Sequence, residues 1–205
     1  MADTYLNFAA LAEHELAGID YRVLMRRARL VFAIVAPHGG GIEPGTSEVA
    51  DAIARTRHSY YAFEGLKGSG NSVLHITSTR FDEPAGRALV KLCRTVVTLH
   101  GEHGDDGGDR VYLGGRDLAL RSAIGDALDG RGFDVGVHSD PALQGRDVRN
   151  ICNRGLSKAG VQLELTRSVR RSMFASLSPA GRKQPTARFH AFVQGVRTAL
   201  LAAEP

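Results

Sequence analysis

From residue 30 the chain reads LVFAIVA, an almost unbroken apolar run rich in branched residues, and then breaks into PHGGGIEPG. Such a run predicts a strand covered on both faces. TSEVADAIARTR follows with Val49, Ala50, Ile53 and Ala54 at helical spacing, and Thr46 is the expected N-cap. Upstream, residues 9–17 predict a helix and YRVLM a first strand. Downstream, YYAFEGL and SVLHITS predict two short strands joined by KGSGN, and EPAGRALVKLC a helix with Pro84 in its first turn.

TVVTLH predicts another buried strand, followed by a polar loop, HGDDGGD, and the strand RVYLGG. DLALRSAIGDALDGR is a helix with Leu120, Ile124 and Leu128 on one face, closed by Gly132. FDVGVH and VQLEL are strands. After the loop SPAGRKQPT, Thr186 caps a last helix with Phe189, Val193, Val196 and Leu200 turned inward. Strands and helices alternate without an internal repeat. The pattern predicts one α/β domain spanning residues 1–205, with a central mixed, mostly parallel sheet flanked by helices.

Composition adds direction rather than class. The 205 residues carry 26 Lys and Arg against 22 Asp and Glu, a formal net charge of +4. Residues 145–190 hold ten Lys/Arg and two acids, Asp147 and Glu164, which suits an anionic partner or a solvated basic face. There is no Trp, which argues against a nucleic acid stacked on an aromatic platform. No apolar run approaches the ~20 residues that span a membrane. Cys93 and Cys152 form no framework, and the acidic N-terminus lacks a basic leader. The expected compartment is reducing and cytoplasmic.

Three strands deliver metal-ligand chemistry. LVFAIVAPH ends in His38 with Glu43 five residues on, TVVTLH ends in His100, and VQLEL carries Glu164 inside an apolar strand beside Gln162. Ligands in open α/β sheets bind beyond the carboxyl ends of strands, so these segments are expected to meet at one edge. Two His and one Glu form a known hydrolytic zinc set that leaves a position for water. His103, in the polar loop, competes with His100 for the third place. HGGGIEPGTSE has neither phosphate-loop spacing, and no GxSxG occurs.

In this order, APHGGGIEPGTSE, LHITSTRFDEP, TLHGE, GGRD, NICNRG and GVQLELTRSVR resemble the phage-type poly-γ-glutamate hydrolase family over about residues 21–173. The resemblance implies a fold and metal site similar to zinc metallocarboxypeptidases. It implies His38, Glu43 and His100 as zinc ligands, Glu164 as general base and poly-γ-glutamate as the anionic polymer substrate. A phage-encoded chain would be released on host lysis. Asn150, Asn153 and Arg154 in RNICNRG are candidates to hold a substrate carboxylate, and Arg116 or Arg154 to stabilise the oxyanion. His75 in LHITS reads as a plain strand residue ahead of a partner to the ligands or a substrate contact. Two alternatives stay open: zinc chemistry on another γ-glutamyl or N-acyl amide, and a nonenzymatic module that binds a polyanion or nucleic acid.

Overall fold

The computed structural model describes residues 3–102 and 108–204. His103 and most of the polar loop around it lie outside the described residues.

A seven-stranded sheet organises the chain. Its strands are β1 (Tyr21–Arg26), β2 (Arg29–Gly40), β3 (His58–Gly65), β4 (Thr95–Gly101), β5 (Arg110–Gly115), β6 (Asp134–Gly136) and β7 (Val161–Leu165). Across the sheet they run β1-β3-β2-β4-β7-β5-β6. The central strands β3, β2, β4 and β7 are mutually parallel, β1 and β5 pair antiparallel to β3 and β7, and β6 runs parallel to β5. This is the mixed, mostly parallel α/β sheet that the alternation predicted.

Period-two alternation divides the buried residues between the sheet's faces. Phe32, Ile34 and Ala36 of β2 pack with Leu99, Leu163 and the inward residues of three helices, α2 (Thr46–Ala54), α4 (Leu118–Asp129) and α6 (Ala187–Ala202). Ala33 and Val35 point the other way, into a cluster with Leu11 of α1 (Phe8–Ala12) and Leu89 and Val90 of α3 (Pro84–Leu92). A sixth helix, α5 (Arg167–Ser172), follows β7 directly. Ile34, Leu99 and Leu163 are wholly buried, each worth about 1.5–3 kcal/mol relative to exposure.

Several local predictions change. SVLHITS is not a strand: residues 71–74 form a 3-10 turn, and the chain runs on extended but unpaired in the sheet. Leu74 and Ile76 are still fully buried, so the alternating pattern recorded burial without ladder pairing. Helix α2 is capped at Gly45, in left-handed conformation, and Thr46 is its first residue. Thr46 instead donates its hydroxyl to the Glu43 carbonyl at 2.8 Å. Helix α1 is shorter than residues 9–17, and FDVGVH contributes only three paired residues.

Candidate active site

Strand β2 is long because it continues into the glycines. Its register with β3 shifts between Ala36 and Gly39, an irregularity that brackets His38. Gly40 is left-handed (φ 63°), and a Cβ there would sit 2.5 Å from the Gly65 carbonyl oxygen. At Gly41 a Cβ would meet the Asn71 side chain at 2.4 Å. A side chain at either position would push the turn away from β3. The tight turn lets the Glu43 amide donate to the His38 carbonyl at 2.9 Å. Two residues five apart in sequence thereby become neighbours.

The turn places the Glu43 carboxylate among three imidazoles. Its Oε1 lies 3.1 Å from His38 Nδ1 and 4.0 Å from His75 Nε2. Its Oε2 lies 3.7 Å from His100 Nδ1 and accepts the Gly101 amide at 2.7 Å. His38 Nδ1 and His100 Nδ1 are 3.2 Å apart. His38 Nε2 donates to the Ile76 carbonyl at 2.8 Å, so a neutral His38 presents its bare Nδ1 to this meeting point. His75 is held the same way from its other side, its Nδ1 donating to Asp3 Oδ1 at 2.7 Å and its Nε2 facing Glu43. Potential donor atoms of His38, Glu43 and His75 all lie within 4.8 Å of one another.

Glu164 enters from the neighbouring strand. His100 and Glu164 are register partners on β4 and β7. Leu163 and Leu165 fill the opposite face, so Glu164 and Gln162 project toward the histidines' side. A chain of amides holds the carboxylate: Asn150 Nδ2 donates to Gln162 Oε1, and Gln162 Nε2 to Glu164 Oε1, each at 2.8 Å. His38, Glu43, His75, His100, Asn150 and Glu164 line one cavity of about 450 Å³, with Ser72, Thr77, Ser78 and Thr79 forming a hydroxyl-rich wall.

Charges in the site are tightly opposed. Burial works against the Glu43 anion, yet the His38 and His100 imidazoles and the Gly101 amide hold its carboxyl down at about 2. Burial opposes protonation of His38 as well, and Glu43 outweighs it, raising that ring. Burial brings His100 down to about 3 against the pull of Glu43, with His38 and His75 assisting. The charge of His38, then burial, lowers His75 to about 4. Glu164 is pushed well above the carboxylate range by burial first and then by Glu43 and Glu102. These shifts describe the site without a cation; a dication among the same groups would favour the ionised Glu164 and the unprotonated imidazoles.

Residues 5–195 match the poly-gamma-glutamate hydrolase family. The chain belongs to this family. UPF0714 protein YmaC of Bacillus subtilis (strain 168) is 37% identical over 201 residues, 97% of this chain and 84% of the relative. The structure of a bacteriophage poly-gamma-glutamate hydrolase matches with a TM-score of 0.94 at 35% identity, covering 98% of each chain. A zinc-free apo form of YndL matches with a TM-score of 0.90 at 32% identity, covering 100% of each.

In this poly-gamma-glutamate hydrolase family member, not all of the expected site residues converge. His38, Glu43, His100, Asn150 and Glu164 line the cavity; Asn153, Arg154 and Arg116 do not. The Asn153 amide donates to the carbonyls of Gly145 and Asp147 and accepts the Gly160 amide, so it shapes the loop before β7. Arg154 donates to the Arg149 carbonyl at 2.7 Å, and Arg116 is exposed after β5. Among the described residues no Lys or Arg lines the cavity. His75, expected as a strand residue, instead stands among the possible metal donors. Its partner Asp3 is 72 positions away, and its alternating neighbours imitate a strand.

Proposed function

We propose that this protein is a zinc-dependent hydrolase that cleaves γ-glutamyl amide bonds of poly-γ-glutamate. The observation that carries the reading is the meeting of the His38 and His100 imidazoles on either side of the Glu43 carboxylate, with the carboxylate of Glu164 in the same cavity. Ligand atoms on a tetrahedral zinc with bonds of 2.0–2.2 Å lie about 3.3–3.5 Å apart. His38 Nδ1 lies 3.1 Å from Glu43 Oε1 and 3.2 Å from His100 Nδ1, close to that size, and His100 meets the other carboxylate oxygen, Oε2, at 3.7 Å. The donor set, neutral imidazole nitrogens and one ionised carboxylate, is also that of hydrolytic zinc sites. His75 is the competing third imidazole, its ring tilted against His38 at a centroid distance of 4.1 Å and its Nε2 4.0 Å from Glu43 Oε1.

When bound, zinc would supply Lewis acidity, lowering the pKa of a water to about 7 and polarising the scissile carbonyl. Glu164 removes the proton of the attacking water and delivers it to the leaving nitrogen, so that water adds across the amide. Gln162 fixes Glu164 Oε1 and leaves Oε2 to exchange the proton. Asn150 acts through Gln162 and not as a carboxylate clamp. The hydroxyl wall offers hydrogen bonds to the polymer, while Arg116 and Arg154 contribute only long-range attraction from outside the cavity. Metal analysis of purified protein, combined with chain-length analysis of poly-γ-glutamate after incubation, tests the reading. It requires about one zinc per chain and zinc-dependent shortening of the polymer. An active chelator-treated protein would contradict it.

A further inference from the structure

Arg170 is a buried cation to which the chemistry above gives no part. It lies in α5, only 3% exposed, and burying a guanidinium is costly unless its donors are satisfied. Its donors reach three separate segments. Nη1 donates to the Pro44 carbonyl at 3.1 Å, Nη2 to the Glu102 carbonyl at 3.0 Å and Nε to the Leu165 carbonyl at 3.2 Å.

Each accepting carbonyl adjoins a residue of the site. Pro44 follows Glu43, and Leu165 follows Glu164. Glu102 follows Gly101, whose amide holds Glu43 and whose predecessor is His100. The guanidinium also packs on Gly101, where an added Cβ would lie 2.6 Å from Arg170 Cζ. The turn after β2 and the ends of β4 and β7 thus meet on one rigid planar fork. Its positive charge is felt by Glu43, Glu164 and Glu102. Packing alone would need only an apolar side chain of similar volume.

We infer that Arg170 is a positioning residue that sets the spacing between the metal-binding strand ends and the strand bearing Glu164. The inference rests on the zinc-hydrolase reading. Partners that orient ligands typically account for about 10- to 100-fold in metal affinity or activity. The test compares zinc affinity of wild type, Arg170→Met and Arg170→Lys by competition with a chromogenic chelator. The temperature is one at which circular dichroism reports each variant folded. Both variants are expected to bind zinc about 10- to 100-fold more weakly, since Lys keeps the charge but not the three-way fork. On poly-γ-glutamate, kcat should fall more than KM rises. Folded variants with wild-type zinc affinity would overturn the inference. If neither folds, Gly101→Ala is decisive: it keeps Arg170 and displaces the guanidinium, so it should weaken zinc binding, and unchanged affinity would overturn the inference. A wild-type chain that bound no zinc would sink the zinc reading itself, and this inference with it.

Discussion

His100 and Glu164 occupy paired register positions on adjacent parallel strands, so the candidate ligand and the candidate base leave the sheet on the same face. Their relative position is therefore fixed by ladder hydrogen bonds, and rigid elements hold such constellations more tightly than loops. His38 and Glu43 reach the same point only because the glycine turn folds the end of β2 back on itself.

The first expectation concerns the ligands. His38→Ala should lose most of the zinc, because its Nδ1 lies between Glu43 and His100. His100→Ala should lose it as well, while His75→Ala should keep roughly stoichiometric metal. Metal content per chain after gel filtration decides the point. Zinc retained without His100 and lost without His75 would exchange their roles.

The amide chain behind Glu164 gives a second expectation. The hydrogen bond from Gln162 favours the ionised carboxylate, so its removal in Gln162→Met raises the affinity of Glu164 for a proton. A base works only when unprotonated, so the acidic limb of the kcat profile should move to higher pH. An unmoved limb would separate Gln162 from the chemistry.

A third expectation concerns stability away from the site. His58 is fully buried, stands edge-on to Phe32, and neither ring nitrogen has a hydrogen-bond partner. Burial lowers its pKa from 6.5, against the attraction of Glu204. The unfolded ring therefore takes up a proton more readily than the folded one. The stability this creates is complete above pH 6.5 and declines as pH falls toward the folded-state value. In chelator-treated protein, the Tm of His58→Phe should fall less steeply than wild type between pH 7 and 4. Parallel curves would mean that the folded ring accepts its proton freely.

The polymer should respond to salt. Exposed charges are screened beyond ~8 Å at physiological ionic strength, and no Lys or Arg among the described residues lines the cavity. Raising salt should therefore increase KM for poly-γ-glutamate with little change in kcat. Arg154→Ala should shift KM modestly at low salt and not at high salt, since the side chain lies outside the cavity. A large loss of kcat would return Arg154 to the reacting centre.

Hydrophobic pattern made the sheet and its candidate ligand-bearing strand ends legible, because LVFAIVA and TVVTLH send apolar residues into the cores on both faces and VQLEL sends Val161, Leu163 and Leu165 into one of them. The same logic failed at SVLHITS. There Leu74 and Ile76 alternate into the core, but the Ile76 carbonyl receives His38 instead of a neighbouring strand. Helix α5 was hidden in TRSVRR, where Thr166 caps the turn and Arg170 is buried as a polar hub rather than exposed. Excess positive charge in residues 145–190 suits an anionic partner or a solvated basic face. Folding instead pairs Arg149 with Asp147 and Arg182 with Glu48, and it buries Arg170. Charge counted along a chain does not record which cations the fold consumes.

The most direct test of the mechanism is Glu164→Gln, assayed for zinc content and for kcat on poly-γ-glutamate in the same preparation. The substitution keeps the shape of the side chain and removes its basicity, so the account predicts a folded protein with full zinc and a kcat lowered at least ~100-fold. A fully active variant, or one that has lost its zinc, would contradict the assignment of Glu164 as the base.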